Sequence, residues 1–456
     1  MLFLCSFFTS YQNSGGTFIF GLDENSGFAK VGVYDAQDLQ KKVMEYCEQM
    51  TPVVRPVFTV CDEDGLVFVS AEIPPVDIAD RPCFKTAKGR LRGSYVRVGD
   101  ADKPMTEYEV YSYEAFRKKY RDDIRSVTGV TINALDSNKL DEYLSRKRND
   151  RPNLALLSLE QQYEFTGITR ENQVTLAALL LFGIYLQGFF PQLGIIVTCV
   201  PGLETGDVDL NGNRFTDTKR IEGTLSDMLD DALSFVRKNM RTATKIDKET
   251  GIRIDLPQYP MDAVREAVLN ALIHRDYSFH TEGMPIQLVM YSDRMEITNP
   301  GGLYGRLTVD QLGQAQPDTR NPVLVTAMET LGKAENRYSR IPTIRYAMKK
   351  QSLPEPVFVD SRGDFKVVLY HKPEIVQKQM PAFSDEPFAD IQDEKGLLDF
   401  CRTPRSRNEI IGYLGISSGQ YALRRYLNPL IEAGAIRLMR PDTPRSPKQE
   451  YVTVDR

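Results

Sequence analysis

Glu266, Asn270 and His274 recur at every fourth position of the stretch EAVLNALIHRDY, in a chain that carries only three histidines. Residues four apart on an α-helix stand one above another, drifting by about 40° per step, so the three share a face. Ala267, Val268, Leu269, Leu272 and Ile273 lie between them and supply a packing face. A carboxylate can orient water, and an amide oxygen can ligate a hard cation. Magnesium takes oxygen ligands together with nucleotide phosphates, so Glu266 and Asn270 suit water activation and Mg²⁺-nucleotide binding. Spacing alone also fits a surface helix with polar residues at helical intervals.

A second group follows in sequence. The strand pair PIQLVMYSDRMEITN leads into Asn299-Pro300-Gly301-Gly302. Glycine lets a backbone approach a ligand closely. An asparagine ending a buried strand can accept a hydrogen bond from an adenine amino group, as a carboxylate would. A simple turn closing a strand would read the same way.

The elements that must position these residues belong to a multidomain α+β chain, because 456 residues exceed what one core organises. From Gly16 to about Tyr113 the pattern is strand-rich, with a helix at AQDLQKKVMEYCEQM and a hairpin turn at DEDG, residues 62–65. Residues 114–255 form a mixed connector. Its charge-free run from Thr175 to Val200 is long enough to cross a bilayer, but Gln187, Pro191 and Gln192 interrupt it and GIIVTCV is β-branched. A buried helix followed by a core strand is expected there, with no membrane partner. The start, MLFLCSFFTS, lacks a basic n-region and a small-residue cleavage site, and reads as the tail of a buried helix. Six scattered cysteines without a C-x-x-C pair fit a reducing cytoplasm and argue against a disulfide framework or a zinc site.

With the elements placed, four ordered motifs carry a resemblance: REAVLNALIHRDYS, DRMEITNPGGL, RNPVLVTAM and ENRYSRIPTIR. Together they resemble the GHKL-type (Bergerat-type) ATP-binding domain of bacterial RecG-helicase-related proteins and predicted transcriptional regulators, over residues 256–375. The resemblance implies an α/β sandwich that binds ATP and Mg²⁺. Glu266 would activate water, Asn270 would hold magnesium, and Asn299-Pro300-Gly301 would stand at the adenine site. It further implies nucleotide contacts at His274, Gly302, Arg320 and Asn321. The family's glycine-rich phosphate loop falls at RYSRI, which has no glycine, leaving Arg337 and Arg340 to meet phosphate by charge. That departure favours nucleotide binding over hydrolysis. No G-x-x-x-x-G-K-[ST] loop occurs, so no helicase is expected.

Residues 1–113 resemble a Schlafen AlbA-type domain, through NSGGTFIFGLDE and RPCFKTAKGRLRGSYVRVGD. The family's acidic motif ahead of the Asn-Ser-Gly-Gly turn is not in this sequence, so a carboxylate nuclease site there lacks a contributor and the start reads as truncated or misassigned. Lys85, Lys88, Arg90, Arg92 and Arg97 offer a basic edge at which nucleic acid could bind, or simply a solvated one.

The chain carries a net charge of -5, yet Cys401 to Arg456 holds ten Lys/Arg against five Asp/Glu. The net charge argues against wholesale coating by nucleic acid, and the basic tail is where DNA is expected. After a linker at 376–394, residues 395–456 have the rhythm of a C-terminal winged helix. NEIIGYL is a first helix, a second follows Ser417 and Ser418, and IRLMR with YVTV makes a hairpin. Gln420, Tyr421, Arg424 and Arg425 would face the major groove of double-stranded DNA, and Arg445 and Lys448 would grip phosphate from the wing. Winged helices also serve as protein-binding modules. The expected function is a transcription regulator whose winged helix responds to ATP or a related nucleotide. The alternatives are an ATPase or nucleic-acid-processing factor in defence or repair, and a scaffold that has lost its ligand; homo-oligomerisation is left open.

Overall fold

Near the chain start, Asp64 and Gly65 both adopt positive φ (55° and 79°), the combination a two-residue hairpin turn requires. They join two antiparallel strands, Val57–Glu63 and Leu66–Ile73, and Gly16–Phe20 pairs with the second of these. In chain order the three are β1 (Gly16–Phe20), β2 (Val57–Glu63) and β3 (Leu66–Ile73), with α1 (Ala36–Cys47) before β2. Asp35 caps α1 by accepting from the Gln37 and Asp38 N–H groups. Val43, Cys47, Met50, Val54, Ile73 and Cys83 form the small core of this unit.

The structure is a computed structural model, which describes residues 15–98, 101–209, 211–246, 253–315, 318–334, 340–361, 363–371 and 394–406, and parts of 409–454. The apolar start at residues 1–14 and residues 376–393 of the expected linker lie outside the described residues.

Helix α2 (Glu107–Lys118) leads away from the first unit, opened by a Thr106–Glu109 capping box. The chain then builds a larger body from α3 (Ser137–Asp150), α4 (Leu176–Phe182), β4 (Ile195–Cys199), β5 (Asp217–Ile221), α5 (Leu225–Asn239) and α6 (Met261–His274). It continues through β6 (Ile286–Met290), β7 (Arg294–Pro300), α7 (Pro322–Thr330), α8 (Arg340–Lys350), β8 (Val357–Asp360) and β9 (Asp364–Tyr370). The charge-free run divides as expected. All seven residues of α4 are buried, and β4 buries Ile195, Val197 and Cys199 at alternate positions. Among the described residues no helix is long and apolar enough to cross a membrane.

Six strands form one sheet in the order β5-β4-β6-β7-β9-β8, parallel only between β4 and β6. Alternation decides its layering. Ile195, Val197, Ile286, Leu288, Met295 and Ile297 are buried on one face, while Thr198, Gln287, Glu296 and Thr298 on the other remain partly or fully exposed. Among the described residues, helices pack against the apolar face. Helix α6 lies across β7 with α5 and α8 beside it, which makes a two-layer α/β sandwich. A single hydrophobic cluster runs from Val130 to Leu369. The sheet therefore draws β4 and β5 from the region read as a connector, and one core spans the expected boundary at 255/256. The reason is hydrogen bonding: β4 completes the edge of β6, a link that local pattern does not reveal.

The last unit holds α9 (Glu394–Phe400), β10 (Arg405–Ser406), β11 (Ile436–Leu438) and β12 (Glu450–Thr453), its strands ordered β10-β12-β11. Leu397, Cys401, Ile410, Leu427, Leu430, Ile436 and Tyr451 form its core. The β11–β12 pair matches the expected hairpin. Gln420, Tyr421, Arg424, Arg425, Arg445 and Lys448 lie outside the described residues.

Candidate functional site

Helix α6 is apolar on nearly every side because it is covered on nearly every side. Ala263, Val264, Ala267, Val268, Leu269, Leu272 and Ile273 are all but fully buried between sheet and helices. Each leucine or isoleucine so buried stabilises the fold by roughly 1.5–3 kcal/mol. The polar stripe is thus not a solvent face. Asn270 and His274, with Ala267 and Ala271, form one wall of a cavity of about 130 Å³. Ile297, Asn299, Phe365 and Val367 from β7 and β9 line it as well, as do Leu303, Tyr304, Leu307 and Leu312 from the segment after Gly302. An apolar cavity of about 150 Å³ engineered elsewhere takes up benzene, so this space suits one aromatic ring system.

Asn299 is the discordant residue on that wall. Strand β7 turns Met295, Ile297 and Asn299 inward, and Asn299 is only 5% exposed. Its Oδ1 has no hydrogen-bond partner among the described residues. A buried acceptor left unpaired costs about 1–3 kcal/mol. A ligand N–H in the cavity would remove that cost.

The glycines after Asn299 serve packing more than ligand approach. Gly301 has φ +98°, and a Cβ there would stand 2.6 Å from the Asp276 Cβ and against the Arg320 guanidinium. Its N–H donates to the Gly363 carbonyl at 2.8 Å. Asp276 closes this unit from the other side. Its N–H donates to the Pro300 carbonyl (3.0 Å), and its carboxylate accepts from Ser278 N–H (2.9 Å) and Tyr108 O–H (2.8 Å). The same carboxylate lies 3.4 Å from Arg320 Nη1. Burial pushes the Asp276 pKa up, but Arg320 and these hydrogen bonds outweigh it and hold the group below the usual carboxylate range. Tyr108 belongs to α2, so the first part of the chain touches the site's support directly. Phe116 of α2 also packs edge-on against Tyr304, with ring centroids 5.4 Å apart.

Arg320 lines the cavity, 5% exposed, with its guanidinium over the Tyr304 ring at 5.2 Å. Nη1 makes no hydrogen bond and Nη2 reaches the Gly302 carbonyl at 3.4 Å. Arg340, the first residue of α8, also lines the cavity. Arg337 lies outside the described residues. Asn321 supports the site from behind. Its Nδ2 donates to the Ile273 and Arg275 carbonyls (3.0 and 2.6 Å), satisfying groups left open at the end of α6. Neither Asn321 nor Glu266 is part of the cavity wall, and Glu266 is buried at 6% exposure. Tyr304, Asp318 and Phe365 line the cavity without having been singled out from sequence. Tyr304 follows Asn299-Pro300-Gly301-Gly302 closely enough that the motif could have flagged it.

Burial, with Arg340 and Arg320 adding repulsion, pushes the His274 pKa down to about 3. The imidazole is therefore neutral at pH 7. A folded pKa below the unfolded value means that the unfolded chain takes a proton the native site refuses. Stability is full above about 6.5 and falls as pH drops toward 3. His274→Gln is expected to flatten this slope, by up to about 2 kcal/mol at pH 5. Urea midpoints at pH 7 and pH 5 measure it, and an unchanged slope would refute it.

Among the described residues no group of three or more His, Cys, Asp or Glu could hold a metal by itself. Magnesium does not require one. It commonly binds through one or two protein oxygens and the substrate's phosphates, and Asn270 on the cavity wall fits that part.

Part of the cavity wall, from β7 to α8, coincides with a match to a family model. Residues 283–369 match the family model described as "Putative ATP-dependent DNA helicase recG C-terminal". The match takes in Asn299, Gly301, Gly302, Arg320 and Asn321 and begins after α6. Residues 394–453 match the model of the C-terminal domain of Fic-like (filamentation induced by cAMP) proteins. No curated protein matches the chain. Among solved structures, the DIP2311 protein of Corynebacterium diphtheriae aligns over 99% of this chain and 85% of its own, at 19% identity and a TM-score of 0.42. The N-terminal domain of a RecG-related protein from Nitrosomonas europaea aligns over 23% of this chain and 72% of its own, at 23% identity and a TM-score of 0.17.

Proposed function

We propose that the chain is a nucleotide-responsive DNA-binding regulator, with an adenine nucleotide in the cavity between α6 and β7. The buried, unpartnered Oδ1 of Asn299, facing a cavity of aromatic-ring size, carries this reading. The adenine amino group supplies the missing donor. Arg320 and Arg340 supply positive charge for phosphates, and Asn270 supplies an oxygen for Mg²⁺. The match to an ATPase-like family over residues 283–369 supports the same ligand class. For the output, the basic balance of residues 401–456 and the β11–β12 hairpin support DNA contact by the last unit.

Glu266 stands off the cavity wall, which favours binding without turnover over the ATPase alternative. Calorimetry on the full chain with ADP tests the proposal. Saturable binding is expected in magnesium, weakening about tenfold or more in EDTA. In Asn270→Ala the two conditions should converge, since the lost contact is the one magnesium mediates. Absence of ADP binding with magnesium present would sink it.

A further inference from the structure

The buried Oδ1 of Asn299 has no hydrogen-bond partner among the described residues, so nothing there holds the amide in one setting. Its counterpart Asn321 is fixed, because both Ile273 and Arg275 carbonyls accept from its Nδ2. Half a turn about Cβ–Cγ exchanges an amide's oxygen and nitrogen, and only hydrogen-bond partners choose between the two settings. On the sheet, Asn299 stands opposite Phe365 and next to the Ile297–Val367 pair, hydrocarbon neighbours that impose no setting, while the polar lining comes from Asn270, His274, Asp318, Arg320 and Arg340.

We infer that Asn299 reads the purine edge through an amide free to turn over, so that the cavity accepts both 6-aminopurine and 6-oxopurine nucleotides. This rests on the nucleotide-binding reading and adds the base class. Adenine presents a donor at its 6-amino group and an acceptor at N1, which pair with Oδ1 and Nδ2. Hypoxanthine presents an acceptor at O6 and a donor at N1, which pair with Nδ2 and Oδ1 after the half turn. The reading atoms occupy the same two places on both rings, so the base keeps one pose. A carboxylate at this position has no donor and would meet the 6-oxo group with repulsion.

The test measures ADP, IDP and the diphosphate of purine riboside, bare at C6, on the full chain by calorimetry. ADP and IDP are expected within about tenfold of each other, because each makes the same number of hydrogen bonds, and the bare purine is expected about tenfold weaker than either. Asn299→Asp is expected to lose at least about tenfold more affinity for IDP than for ADP. IDP binding more than about tenfold weaker than ADP in the unaltered protein would overturn the inference while leaving the nucleotide site standing. So would an unchanged ADP-to-IDP ratio in Asn299→Asp. The panel on the unaltered protein is independent of how the variant folds. Failure of all three ligands to bind would remove the nucleotide site itself.

Discussion

Arg320→Met is expected to destabilise the central body by about 3–5 kcal/mol at pH 7, since it strands a buried carboxylate. The two side chains are 5% and 3% exposed and 3.4 Å apart, so little solvent is at hand to take over the role of either. With Arg320 present, the Asp276 pKa lies below its ordinary value despite burial. The pair then contributes stability above the unfolded pKa of about 3.9, lost as pH falls through the native value. Removing Arg320 leaves burial to act with less opposition, so the native pKa rises and protonation at acid pH relieves the stranded charge. The gap between variant and unaltered protein should therefore narrow from pH 7 to pH 4.5 in urea titrations. A gap of equal size at both would mean that the loss is one of packing. ADP affinity should fall as well, since the same guanidinium lines the cavity.

Gly301→Ala is the second large effect. A φ of +98° already disfavours any side chain, and the added methyl would meet Asp276 and the Arg320 guanidinium together. Strain and overpacking combine to about 2–4 kcal/mol. Gly283→Ala is the matched control, because a Cβ there meets nothing within 4 Å. The chain has no tryptophan, so far-UV circular dichroism is the natural probe of the urea transition. Equal midpoints for the two variants would refute the close packing of Gly301.

Much of this was legible residue by residue. The inward alternation Met295, Ile297, Asn299 put a polar group on an apolar face, which is visible in sequence. So were α6, the Asp64–Gly65 turn and the division of the charge-free run into α4 and β4. Long-range partners were not legible. Asp276 meets Tyr108 across 168 residues, and nothing local announces it. Asn321 was grouped with the ligand contacts, yet it holds the end of α6. The structure puts Asn270, His274, Asn299, Gly301, Gly302, Arg320 and Arg340 on one cavity, while leaving Glu266 one helical turn away from Asn270.

The placement of β4 between β5 and β6 bears on how such a chain can be cut or recombined. A crossover at residue 256 would deliver α6, β6 and β7 without β4, the parallel partner on the other edge of Ile286–Met290. The recipient would inherit a bare, apolar strand edge, the surface on which chains stack and aggregate. A recombined piece that keeps β6 paired on both edges therefore begins before β4, ahead of the stretch matched at 283–369.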